Sequence, residues 1–96
     1  MDIYENIALS EFCNSHGISP QFVLQWHEYG LIEIIHEAQT PYIQHEELPK
    51  AERIIRLYTD LDINLEGIEV IQQLLHRING MQEEINLLRN KLRRFE

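Results

Sequence analysis

LSEFCNSHGISPQFVLQWHEYG, residues 9–30, holds two short helices and the turn between them. Leu9, Phe12 and Cys13 fall at i, i+3 and i+4, one face of a helix, and Gly17 is placed to stop it. Ser19-Pro20 then offers an N-cap followed by proline at the first helical position, where the missing N–H costs nothing. Phe22, Val23 and Trp26 form the next inward stripe before Gly30 closes the second helix. Two short helices across a glycine-containing turn make a helix-turn-helix. Trp26 and Tyr29 have two readings, core packing or anchors of an interface.

Downstream, Leu31-Ile32-Glu33-Ile34-Ile35 is apolar and β-branched, and Thr40-Pro41-Tyr42-Ile43 follows a polar break, so the two are expected to pair as a small hairpin, or wing. A third helix begins near His45 to Pro49 and ends near Leu61, with Ile54, Ile55, Leu57, Tyr58 and Leu61 as its apolar face. Asn64 is a good N-cap, and Glu66 and Glu69 sit where a helix dipole favours acids. From there the apolar series Ile68, Ile71, Leu75, Ile78, Met81, Ile85, Leu88, Leu92, Phe95 advances by threes and fours. One step of three where four is due, between Ile78 and Met81 beside Asn79-Gly80, marks a stammer or a bend; one continuous helix is the expectation. The fold class is mainly α: a winged helix-turn-helix head with a small β hairpin over residues 1–62, then a long C-terminal helix over 63–96 with a coiled-coil-like seam.

Residues 66–95 as one helix reach ~45 Å at 1.5 Å per residue, longer than a small head covers. The seam therefore predicts a homodimer through Ile71, Leu75, Ile78, Met81, Ile85, Leu88 and Leu92. The cluster Arg89, Lys91, Arg93, Arg94 complements the dipole at the helix C-terminus. In an antiparallel pair it approaches Glu83 and Glu84 of the partner, whereas a parallel pair aligns like charges, so the expected orientation is antiparallel.

The charge is divided unevenly. The chain has 16 acids against 8 Lys and Arg, a net charge of −8. Before Lys50 stand Asp2, Glu5, Glu11, Glu28, Glu33, Glu37, Glu46 and Glu47 and no Lys or Arg; from Lys50 onward acids and bases balance. A helix-turn-helix raises nucleic-acid binding first, since its second helix commonly enters the major groove. Charge opposes that reading, because phosphate affinity comes from Lys and Arg that this head lacks.

Other chemistry finds no residues to stand on. The apolar fraction of 44% and charged fraction of 25% are globular averages for one domain, with disorder expected only in the first few residues. No apolar run approaches the ~20 residues of a membrane span and no export signal is evident, so a soluble, cytoplasmic protein is expected. Cys13 is the lone cysteine, in an apolar setting beside Phe12. His16, His27, His36, His45 and His76 share no ligand spacing, and no phosphate loop, nucleophile elbow or paired acids occur, so neither enzyme, metal nor cofactor is implied.

Leu9-Ser10-Glu11-Phe12-Cys13, Gly17-Ile18-Ser19, Gly30-Leu31-Ile32, Arg56-Leu57 through Asp60-Leu61, Ile63-Asn64-Leu65 and Gly67-Ile68 together resemble the CbpM-type chaperone modulators, relatives of the MerR-type helix-turn-helix regulators. The resemblance runs from about residue 7 to 95, and its more specific part is Arg56 to Ile68 with the leucine-rich helix. It implies a MerR-like head and binding to the J-domain of a DnaJ-like, CbpA-type co-chaperone, in competition with the Hsp70 chaperone (DnaK). MerR-type DNA binders carry one arginine shortly before the Gly-Leu pair and another in the wing; those positions are Leu24 and Pro41 here. The alternative, a MerR-type DNA-binding transcriptional regulator, thus lacks both phosphate contacts. A J-domain presents a basic helix, and charge and exposure make Glu28, Tyr29, Glu33, Glu37, Glu46, Glu47, Asp60 and Asp62 the candidate contacts. With a sequence pI near 5.0, the protein should bind an anion exchanger at neutral pH and pass through heparin; retention on heparin in moderate salt would restore the nucleic-acid reading.

Overall fold

The computed structural model describes residues 6–95, so the first residues, expected to be disordered, lie outside the described part. Strand β1 (Asn6–Ala8) leads directly into α1 (Leu9–His16), and α2 (Pro20–Glu28) follows. Strands β2 (Ile35–Glu37) and β3 (Thr40–Gln44), a 3₁₀ turn (His45–Glu47), α3 (Leu48–Thr59) and α4 (Leu65–Arg93) complete the order.

The two helices of the helix-turn-helix end in the same way. Gly17 (φ 65°) and Gly30 (φ 74°) take the left-handed conformation that lets a chain turn off a helix. Behind each, an apolar residue returns its N–H to the last turn: Ile18 to Cys13 O at 3.1 Å, Leu31 to Trp26 O at 2.8 Å. At the start of α2, Ser19 Oγ accepts the Phe22 N–H at 3.2 Å.

The wing differs from the sequence expectation. The apolar run predicts a strand over Leu31–Ile35, but the strand begins only at Ile35, pairing Ile35 with Tyr42, His36 with Pro41 and Glu37 with Thr40. Leu31, Ile32 and Ile34 are buried in irregular chain. The Leu31 N–H is committed to capping α2, and two successive buried side chains, Leu31 and Ile32, do not suit the alternation of a one-sided strand. The sheet also gains β1, which the sequence reading did not foresee; it pairs antiparallel with β3 (Ile7 opposite Ile43), giving the order β1-β3-β2. Pro41 lies just outside the stretch of β3 that β1 covers, where no N–H is needed on that side.

One apolar core joins these elements. Val23, Trp26, Ile43, Ala51, Ile54 and Ile68 are fully buried, with Leu9, Phe12, Cys13 and Leu65 around them. Trp26 is therefore a core residue. Of the apolar face expected for α3, Ile54 is buried and Ile55 and Leu57 partly so. Tyr58 and Leu61 are exposed: α3 ends at Thr59, leaving Leu61 in the turn, and the Tyr58 ring lies 4.6 Å from that of the half-buried Phe22. Asn64 Oδ1 accepts the Gly67 N–H at 2.8 Å to start α4. A Cβ at position 67 would come within 2.8 Å of Ile63 Cγ2, so this close approach requires glycine. Helix α4 then runs 29 residues without interruption, through Asn79-Gly80. Among the described residues no helix is long and apolar enough to cross a membrane.

The β2–β3 turn stores strain. Its two central residues, Ala38 (φ 49°) and Gln39 (φ 66°), are both left-handed, the geometry of a two-residue turn that normally selects Asn-Gly. Replacing them with Asn-Gly should raise stability by about 1 kcal/mol in urea denaturation, through release of left-handed strain. An unchanged midpoint would mean that the pair is not strained.

Candidate partner-binding face

The acids singled out by charge fall in three places. Glu33 and Glu46 are exposed on the rim of an open groove of about 430 Å³ that Gly30, Ile32, Gln44, Glu47 and Lys50 also line. Glu47 is the least free of the set: its Oε1 accepts the Glu33 N–H at 2.8 Å and its Oε2 lies 3.1 Å from Lys50 Nζ. Its side chain is only 12% exposed. This carboxylate ties the irregular segment after α2 to the start of α3.

Glu28 and Tyr29 end α2 and meet the first turn of α4. The Tyr29 hydroxyl donates to Glu66 Oε1 at 2.7 Å, and with Phe22, Gln25, Tyr58, Asn64 and Leu65 these residues line a second groove of about 410 Å³. The hydrogen bond from Tyr29 holds the Glu66 carboxyl below the usual carboxylate range; the same bond, then the charge of Glu66 and its neighbours, pushes the Tyr29 phenol up. Sequence reasoning assigned Glu66 only to the helix dipole, because nothing in a 37-residue separation signals the contact. Glu69 adds further negative charge near the phenol.

The remaining three stand apart. Glu37 is half-buried at the end of β2. Asp60 and Asp62 are exposed in the α3–α4 turn, where Asp62 adopts φ 55° and Asp60 Oδ1 accepts from Thr59 Oγ1 at 3.2 Å.

The head exposes acids and aromatics where a DNA reader would expose cations. Leu24 is exposed on α2 and Pro41 half-exposed on the wing, the two positions where the family resemblance leads one to expect a phosphate-binding arginine. Lys50, which lines the first groove, also lines with Arg53 another groove, between α3 and α4, together with Gln72, Leu75, His76 and Asn79. Burial places Cys13 inside the core and pushes its thiol up, which suits packing rather than reactivity. His16 and His27 bond through Nδ1 to the carbonyls of Phe12 (3.0 Å) and Ile32 (3.2 Å), as local ties.

Along α4 the candidate seam divides into two faces. Ile68 is buried in the core, and Ile71 and Leu75 are half-buried. Ile78, Met81, Ile85, Leu88 and Leu92 are all exposed, and so is Leu74, at 49%. With Leu74 in the series, Ile71, Leu74, Ile78, Met81, Ile85, Leu88, Leu92 and Phe95 alternate steps of three and four without a stammer. Leu75 belongs to the face turned to the head, and the apparent irregularity is the crossing from one face to the other.

A winged helix-turn-helix head with a helical extension defines a class, and the family profile "MerR HTH family regulatory protein" matches residues 7–90. The chain belongs to this family. Its curated relatives include the chaperone modulatory protein CbpM of Pseudomonas putida strain F1, 23% identical over 90 residues that cover 93% of this chain and 89% of the relative. The proteins of the same name from Pseudomonas entomophila strain L48 and Pseudomonas putida strain W619 are 23% and 24% identical over the same shares.

Because the folded state depresses Glu66, the stability it contributes is present above its unfolded pKa and is lost as pH falls through the lower, folded value. Tyr29→Phe should return the Glu66 titration toward the ordinary carboxylate range, as followed by side-chain carboxyl NMR, and leave the fold intact. A Glu66 midpoint that does not rise in this variant would show that the contact does not persist in solution.

Proposed function

We propose that this chain inhibits a DnaJ/CbpA-type co-chaperone by binding its J-domain and keeping the Hsp70 chaperone (DnaK) from engaging it. The observation that carries the reading is a MerR-type scaffold that presents Glu28, Tyr29, Glu33 and Glu46 of its head and Glu66 of α4 on open grooves, with Leu24 and Pro41 where the resemblance places arginines in DNA binders. Relatives named chaperone modulatory proteins, aligned over nearly the whole chain, point the same way.

The mechanism is competition for one surface. A J-domain offers a basic helix; an acidic face draws it in by long-range attraction, which sets a fast, salt-sensitive association, and occupancy then excludes the chaperone. Tyr29, Phe22 and Tyr58 supply apolar area beside the acids, so that the complex does not rest on screened surface charge alone. Glu37, Glu47, Asp60 and Asp62 extend the same charge, with Glu47 acting mainly through the groove it shapes. The protein works as a homodimer paired through the exposed residues of α4, and no catalytic step is involved.

A DNA-binding regulator is the competing reading, favoured by the family alone. It would require the cations at the end of α4 to supply the phosphate contacts.

Calorimetric titration with a purified CbpA-type J-domain at low and moderate salt tests the proposal. Binding should saturate, weaken as salt rises, and fall about tenfold or more when Glu28→Lys, Glu33→Lys and Glu46→Lys are combined. No heat at either salt, or an affinity indifferent to the triple reversal, would overturn it.

A further inference from the structure

Apart from the cluster at the end of α4, the bases of the chain are Lys50, Arg53, Arg56 and Arg77. Lys50, Arg53 and Arg56 repeat every three residues along α3, so like charges stand on successive turns, an arrangement that disfavours a helix. Lys50 is relieved by Glu47, 3.1 Å away. Arg53 is not: no acid lies three or four residues to either side of it, it makes no ion pair among the described residues, and the residue is half-buried. A guanidinium drawn partly out of water without a carboxylate partner is unfavourable.

The groove between α3 and α4 that Lys50 and Arg53 enter holds a second unmet demand. Gln72, on its α4 side, has a buried Nε2 with no hydrogen-bond partner among the described residues. A buried amide donor left unbonded is also unfavourable, so an acceptor that reaches it gains a bond and removes that cost together. No acid lines this groove among the described residues, although the chain has twice as many acids as bases.

From these two deficits we infer that the α3–α4 groove binds a carboxylate side chain of a protein partner. Arg53 and Lys50 supply charge, Gln72 and His76 supply further N–H donors, and the half-buried Leu75 gives the methylenes of the incoming side chain an apolar floor. A phosphate strand fits less well. With Lys50 shared with Glu47, only Arg53 offers an uncommitted full charge, and the acids of the head repel a polyanion. The groove encloses about 270 Å³, below the roughly 300–1,000 Å³ of sites that bury a small molecule, which favours a side chain carried by a larger partner.

Gln72, Leu75, His76 and Asn79 stand roughly a third of a turn around α4 from Leu74, Ile78 and Met81, so a helix seated on the seam leaves the groove open. At Lys50 the groove adjoins the acidic one beside Glu33 and Glu46, since Lys50 lines both. A partner that crosses Lys50 therefore meets acids on one side and donors on the other, and is expected to carry a base next to an acid.

NMR of the full chain, following the Gln72 side-chain NH₂ and the Arg53 Nε–H, tests the inference with the capped peptide acetyl-Leu-Glu-Leu-amide. Both signals should shift and saturate together with a dissociation constant on the order of 1 mM, and acetyl-Leu-Gln-Leu-amide should leave them in place. Arg53→Gln should weaken the peptide about tenfold. Gln72→Leu should weaken it about threefold, read at Arg53, while the melting temperature holds or rises, a split that a purely structural role for Gln72 would not give. Unshifted signals at about 20 mM peptide, or an affinity unchanged in Arg53→Gln, would overturn the inference. Glutarate matching the peptide would make the groove a site for small dicarboxylates, and inorganic phosphate binding more tightly than either would make it a phosphate site; each result also overturns it. The titration contains no co-chaperone, so its failure leaves the J-domain reading to its own experiment.

Discussion

The long helix takes its direction from its first turn. Leu65 and Ile68 are sunk into the core that also holds Val23, Trp26, Ile43 and Ile54, and Asn64 caps the backbone where α4 begins. Burying two such aliphatic side chains contributes on the order of 2–3 kcal/mol each, enough to fix one end of a rod. Much of the functional geometry follows from that anchor. It brings Glu66 under the Tyr29 hydroxyl, opens the groove beside Phe22 and Tyr58, and turns Leu74 and Val70 away from the head. Gly67 belongs to the same constraint, since a side chain there would strike Ile63 and lift the turn off the core.

Electrostatics is built on this frame rather than into it. Among the described residues the core contains no buried polar or charged side chain, so the acids contribute little to the fold and are free to define a surface. Glu47 is the exception, because it ties the Glu33 N–H to Lys50 and so shapes the loop that leaves α2. The result is a MerR-type head that presents negative charge and aromatic edges at its surface.

Much of this was legible in the residues. Gly17, Gly30, Ser19-Pro20 and Asn64 act through local backbone geometry, and each delimits its element as such residues should. The wing was misread because Leu31–Ile34 has the composition of a strand while its backbone is engaged by the end of α2, and because the Ala38-Gln39 turn hides behind residues that seldom adopt it. Three-residue β1 offers no periodicity to detect. Glu66 escaped as a site residue since only tertiary structure sets it against Tyr29, and Leu75 was preferred to Leu74 because spacing cannot tell which of two adjacent leucines faces the head.

Every residue from His76 to Phe95 is exposed, so the distal part of α4 rests on helical propensity alone within its own chain. A free helix of this length in water is marginal, poised between coil and rod. Whatever covers its seam therefore folds it as well as binds it, and part of the association energy goes into ordering the backbone. Under the proposed pairing, the far end of the molecule would register concentration, fraying when dilute and stiffening as its companion accumulates, a gauge of abundance written in backbone order.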